Sequence, residues 1–108
     1  MSGRRVGVTL ACLLAGLTAC TAAVGQDGQR ERGKQLFTEQ GCYGCHMIEK
    51  YGTPIATDLS HIGSKMSVAD LTRWLENPAA QRPTAHMPKI AMPESDAEAL
   101  AAYLGSLH

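Results

Sequence analysis

A chain of 108 residues with a single Phe, a single Trp and three Tyr has room for one small domain and little aromatic material to fill it, so something other than a conventional side-chain core must occupy the middle. Ten Lys plus Arg against ten Asp plus Glu give a formal charge of zero, which excludes the basic stripe of a nucleic-acid binder.

The chain opens on a targeting pattern. Arg4 and Arg5 form a positive start and Val6 to Leu17 an apolar run, of the length of a secretory leader and short of the ~20 residues a membrane span needs. Leu17-Thr18-Ala19-Cys20 resembles a lipobox, which predicts a leader over 1–19 and lipid attachment at Cys20. Ordinary cleavage beside Thr21-Ala22-Ala23 or Ala23-Val24-Gly25 is the alternative. Cysteine accounting favours the lipobox, because Cys12 leaves with the leader and Cys20 has no other partner. Export to the periplasm, with a lipid anchor on a membrane, is the expected address. Losing Arg4 and Arg5 leaves eight basic against ten acidic groups.

Residues 20–29 are small, polar and Gly-containing, and read as a flexible tether ahead of a folded domain over 30–108. A helix is predicted from about Asp27 to Gln40, with Gly33, Leu36 and Phe37 on one face and Gly41 as its stop. Gly33 inside a helix costs about 1 kcal/mol relative to Ala, so its presence predicts a close helix crossing.

Cys42-Tyr43-Gly44-Cys45-His46 follows directly. Two thiols two residues apart with His next to the second form the attachment pattern of a c-type haem: the thiols become thioethers to the porphyrin vinyls and the imidazole ligates iron. A covalently held porphyrin also supplies the missing core. The competing readings are a thioredoxin-like redox pair, which wants a βαβ context, and half of a zinc site, which wants a second ligand pair. Neither context is found in the sequence.

Met47 to Lys65 is rich in Gly, Pro, Ser and Asp without a sustained period and reads as loop, with no strand predicted. Ser67 to Asp70 is a helix start resembling a capping box. The helix after it buries Val68, Leu71 and Leu75, carries Trp74 on a flank and is closed by Asn77-Pro78. Gln81 to Ala91, with Pro83 and Pro88, is an extended loop. Pro93, Glu94 and Asp96 open a last helix with face Ala97, Leu100, Ala101 and Leu104, ending after Gly105. The fold class is all-α, and no Ser/His/Asp arrangement or phosphate loop suggests catalysis.

From Gly33 to Leu107 the chain resembles a small bacterial class I cytochrome c of the monohaem type. Three segments carry the likeness: Gly33 to Phe37 with the Cys42–His46 motif, Asp58 to Ser64 with Leu71 to Pro78, and Met87-Pro88 with Ala97 to Leu104. The resemblance implies three main helices wrapped around one covalent haem c, with first and last helices crossing where Gly33 and Phe37 meet Tyr103. It implies His46 and Met87 as axial iron ligands; Met92, His86 and His61 are the rivals for the sixth position. Met47 and Met66 read as packing residues. Trp74 is expected to donate to a haem propionate or simply to cap the core, and Lys50, Lys65 and Lys89 either ring the exposed haem edge or are ordinary solvated lysines. The family commonly has Gly-Pro before the Asp-Leu pair, with the Pro carbonyl accepting the proximal imidazole N–H; Ala56-Thr57 stands there instead, leaving the orienting carbonyl open.

The function expected is one-electron transfer between membrane-bound respiratory or oxidoreductase partners, by a carrier that is not itself an enzyme. The rivals are a haem subunit or sensor of a larger membrane complex, and a small haem peroxidase.

Overall fold

A computed structural model describes residues 25–108; the leader and Cys20 lie outside them. Helix α1 covers 25–39, so it starts two residues before the expected Asp27 and takes in the end of the stretch read as tether. Every residue of that first stretch is exposed, and its Asp27 forms an ion pair with Arg30. The helix ends where Gly41, at φ 75°, turns the chain, a left-handed conformation that glycine adopts without a β-carbon penalty.

After a 3-10 turn over Cys42–Gly44 come two short strands, β1 (Met47–Ile48) and β2 (Tyr51–Gly52), paired antiparallel with Met47 opposite Gly52. The sequence predicted no strand here, since two residues per strand are too few to display alternation and Glu49-Lys50 is not a usual hairpin turn. Glu49 nevertheless adopts φ 55°. A second 3-10 turn over Ile62–Ser64 leads to α2 (Val68–Glu76).

Ser67 caps α2 as expected, its side-chain oxygen accepting from Asp70 N at 3.1 Å. Leu71 and Leu75 are buried. Val68 is not: it stays 46 % exposed, because at the first position of the helix it only reaches over Gly105 at the edge of the core. Asn77-Pro78 closes α2 and also opens a further helix, α3 (Pro78–Gln81), that was not expected. The same two residues serve both ends. Asn77 breaks the helical backbone and then accepts from Ala80 N at 3.3 Å, while Pro78 occupies a first-turn position where its missing N–H is not needed. An irregular segment then leads to α4 (Glu94–Gly105).

The core lies where α1, α2 and α4 meet, with Leu36, Phe37, Leu71, Leu75, Leu100 and Leu104 at its centre. Truncating a fully buried leucine such as Leu100 to Ala would cost about 2–5 kcal/mol. The α1–α4 crossing is set by Gly33: a β-carbon there would fall within the Ala99 carbonyl oxygen and 2.7 Å from Tyr103 Cβ. Phe37 sits beside it, edge-on to Tyr103 at 6.3 Å.

Candidate functional site

The Cys42–His46 turn is held by its neighbours before any cofactor is considered. Phe37, buried in α1, packs edge-on against Tyr43, the residue after Cys42, with ring centroids 4.6 Å apart. Cys45 N and His46 N both donate to Cys42 O, at 3.2 and 3.0 Å, winding the turn so tightly that both thiols and the imidazole leave one short arc of chain. Cys42 is half-buried against the core and Cys45 is exposed. Burial pushes the Cys42 thiol up from its ordinary value, with the neighbouring Cys45 adding to the rise and a backbone hydrogen bond opposing it.

The segment after the hairpin folds back along this arc. Ile55 N and Ala56 N donate to Cys45 O at 3.2 and 2.7 Å, and Leu59 N donates to Met47 O at 2.9 Å. These bonds present the Thr57 carbonyl to His46, whose Nδ1–H donates to it across 2.6 Å. A carbonyl only accepts, so Nδ1 carries the proton and Nε2 keeps its lone pair for a metal. The orienting carbonyl left open by the sequence is that of Thr57, in the place where the family commonly has Pro. A backbone oxygen does this work whatever side chain it belongs to.

Beyond the loop, Asp58 is held below the usual carboxylate range, first by the Ser60 hydroxyl and then by the Ser60 backbone N–H. The sequence placed both residues in a segment resembling the family but gave neither a role. Asp followed two residues later by Ser is an ordinary turn pattern and gives no sign of what the turn supports.

Met87 lies in the irregular segment between α3 and α4, partly buried against the same core that Cys42 borders. Trp74 of α2 donates its indole N–H to the Met87 sulfur at 3.1 Å, and the Arg82 guanidinium lies 6.0 Å from the Trp74 ring. Met92 is also partly buried, in a groove with Leu75 and Ala97 at the entrance to α4, as a packing residue there should be. His61 and His86 are exposed. Met47 and Met66 are half-buried, Met66 against the core, consistent with packing. Lys50 sits 5.5 Å over the Tyr51 ring, while Lys65 and Lys89 are simply exposed.

The donor set fits a c-type haem: two thiols and an imidazole with its Nε2 lone pair unspent, all on one turn. Among the described residues no three His, Cys, Asp or Glu side chains gather as a site for a bare metal ion, and the two strands form a hairpin rather than a βαβ unit. Those observations weigh against the zinc and thioredoxin readings.

A family model described as cytochrome c matches residues 30–108. The chain belongs to the cytochrome c family. Its fold is the all-α cytochrome c fold and its cofactor is a covalent c-type haem with iron. A curated relative, cytochrome c oxidase subunit 2 of Alkalihalophilus pseudofirmus, is 33 % identical over 85 residues, covering 70 % of this chain and 25 % of the relative. The chain therefore spans a quarter of that relative's length. In this cytochrome c, Cys42, Cys45 and His46 occupy the positions of the family's haem motif.

Proposed function

We propose that this cytochrome c is a one-electron carrier, not an enzyme, with Cys42 and Cys45 as its thioether anchors and His46 and Met87 as its axial iron ligands. The observation that carries the reading is the 2.6 Å contact of His46 Nδ1 with Thr57 O, which orients the imidazole and commits Nε2 to the metal. Met87 is supported as the sixth ligand by the Trp74 N–H on its sulfur: a thioether has two lone pairs, and the indole directs one and leaves the other. The bound haem supplies the Fe(III)/Fe(II) couple. The chain's part is to hold two ligand atoms in fixed geometry, so that little reorganises when an electron arrives, and to leave no open position for substrate.

Cys20 as a lipidated N-terminus would place the domain at the periplasmic face of a membrane, beside membrane-bound respiratory or oxidoreductase partners. The relative named as an oxidase subunit favours a second reading, in which the domain serves as a haem module of a larger oxidase-type complex.

Substitution at the two loop methionines tests the ligation. Met87→Ala should abolish the long-wavelength sulfur-to-ferric-iron charge-transfer band and lower the potential, while Met92→Ala leaves the band in place. The reverse pattern would move the ligand to Met92, and a parent protein without the band would move it to histidine.

A further inference from the structure

Ser60 adds a side-chain tie between the hairpin turn and the loop, one residue beyond the Leu59 N–Met47 O backbone bond. Its hydroxyl donates to Asp58 Oδ1 at 2.6 Å and accepts Glu49 N–H at 2.7 Å, and its own backbone N–H donates to the same Asp58 oxygen at 2.8 Å. A hydroxyl has a single proton, so giving it to the carboxylate leaves only lone pairs for Glu49: Asp58 sets the direction of the chain of bonds. Glu49 is the non-glycine residue at positive φ among the described residues, at 55°, and it forms the first half of the hairpin turn between β1 and β2. A side chain with a β-carbon disfavours that conformation, so something must hold it there. The Ser60 hydroxyl does so.

The covalent neighbours of these groups show what is being held. Asp58 directly follows Thr57, whose carbonyl receives the His46 proton, and Glu49 follows the β1 strand that leads out of His46. His46, Thr57, Asp58, Ser60, Glu49 and β1 thus make a closed ring of covalent and hydrogen bonds. We propose that Asp58 and Ser60 are positioning residues for the proximal imidazole, clamping the hairpin turn to the loop so that Thr57 O stays on His46 Nδ1. Neither touches the iron's coordination sphere. Their effect passes through the strength of one hydrogen bond, which sets how much electron density the imidazole gives to iron.

The inference rests on His46 as an iron ligand, and its test separates the two. In the haem-loaded full chain, reduced so that it is diamagnetic, the exchange rate of the His46 Nδ1 proton is followed by NMR with ¹⁵N-labelled histidine, alongside the reduction potential. Ser60→Ala should speed that exchange about fivefold, as loss of one net hydrogen bond implies, and should raise the potential, because a less firmly held imidazole is a poorer donor to the ferric state. Asp58→Asn, which keeps the shape and loses the charge, should shift both in the same direction and serves if Ser60→Ala does not fold. Adding Glu49→Gly to Ser60→Ala should bring both back towards the parent, since glycine takes the left-handed turn unaided. Parental exchange in Ser60→Ala and Asp58→Asn would overturn the clamp. Faster exchange with an unmoved potential would keep the clamp and overturn His46 as the ligand.

Discussion

At the residue scale, the two candidate ligand atoms are governed by what lies behind them. His46 has its Nδ1 proton committed to Thr57 O, and Met87 has an indole N–H on its sulfur at 3.1 Å. The two bonds act in opposite senses. A carbonyl accepting from the imidazole makes it a better donor and favours Fe(III); a donor on the thioether draws density from sulfur and favours Fe(II). Trp74→Phe keeps the ring's packing and removes only the N–H, so the reduction potential should fall by a few tens of millivolts, roughly the one-electron equivalent of a lost hydrogen bond of ~1 kcal/mol. A potentiometric titration of parent and variant checks this; a rise, or no change, would show that the indole bond does not reach the redox centre. The motif cysteines and histidine were legible because their chemistry is local in sequence. Trp74 and Met87 stand thirteen positions apart on different elements, and the direction of an indole N–H is decided by packing that no spacing encodes.

At the scale of the element, prediction succeeded where the signal repeats over several turns. Helices α1, α2 and α4 carry apolar faces, and Ser67 and Gly41 mark their ends. It failed where an element is shorter than its own period. The β1–β2 hairpin pairs two residues with two, held by the Ser60 contact from outside the hairpin, and α3 is a single turn that reuses the residues ending α2. A close crossing was legible from Gly33, since a glycine in a helix is costly without a reason, and the family resemblance pointed to α4 as the partner. That crossing makes a sharp prediction. Gly33→Ala adds one methyl against the Ala99 carbonyl and Tyr103 Cβ, and should destabilise the haem-loaded domain by about 1–3 kcal/mol in chemical denaturation despite alanine's better helix propensity. A stabilised variant would mean that the helices do not approach so closely.

At the scale of the whole molecule, a small apolar side-chain cluster is combined with a haem attached to a turn that α1 and the 53–59 loop hold in place. Among the described residues no helix is long and apolar enough to cross a membrane. The anchor proposed is a lipid on Cys20. Changing Cys20→Ser should move the protein from the membrane to the soluble fraction, because several acyl chains at ~0.8 kcal/mol per buried methylene anchor firmly and nothing else in the proposal does. A parent protein already in the soluble fraction would favour ordinary leader cleavage instead. On that proposal partner choice would follow the same placement, since a tethered carrier samples only what shares its membrane face.

The central claim is an iron with both axial positions taken, which is what separates a carrier from a peroxidase or a gas sensor. Carbon monoxide added to the reduced, haem-loaded full-length protein tests it most directly, because the gas binds ferrous haem only where a coordination position is open or easily vacated. With His46 and Met87 both bound, the visible spectrum of the reduced protein should not change on saturation with the gas. Formation of a stoichiometric carbon monoxide adduct in the parent protein would contradict the account.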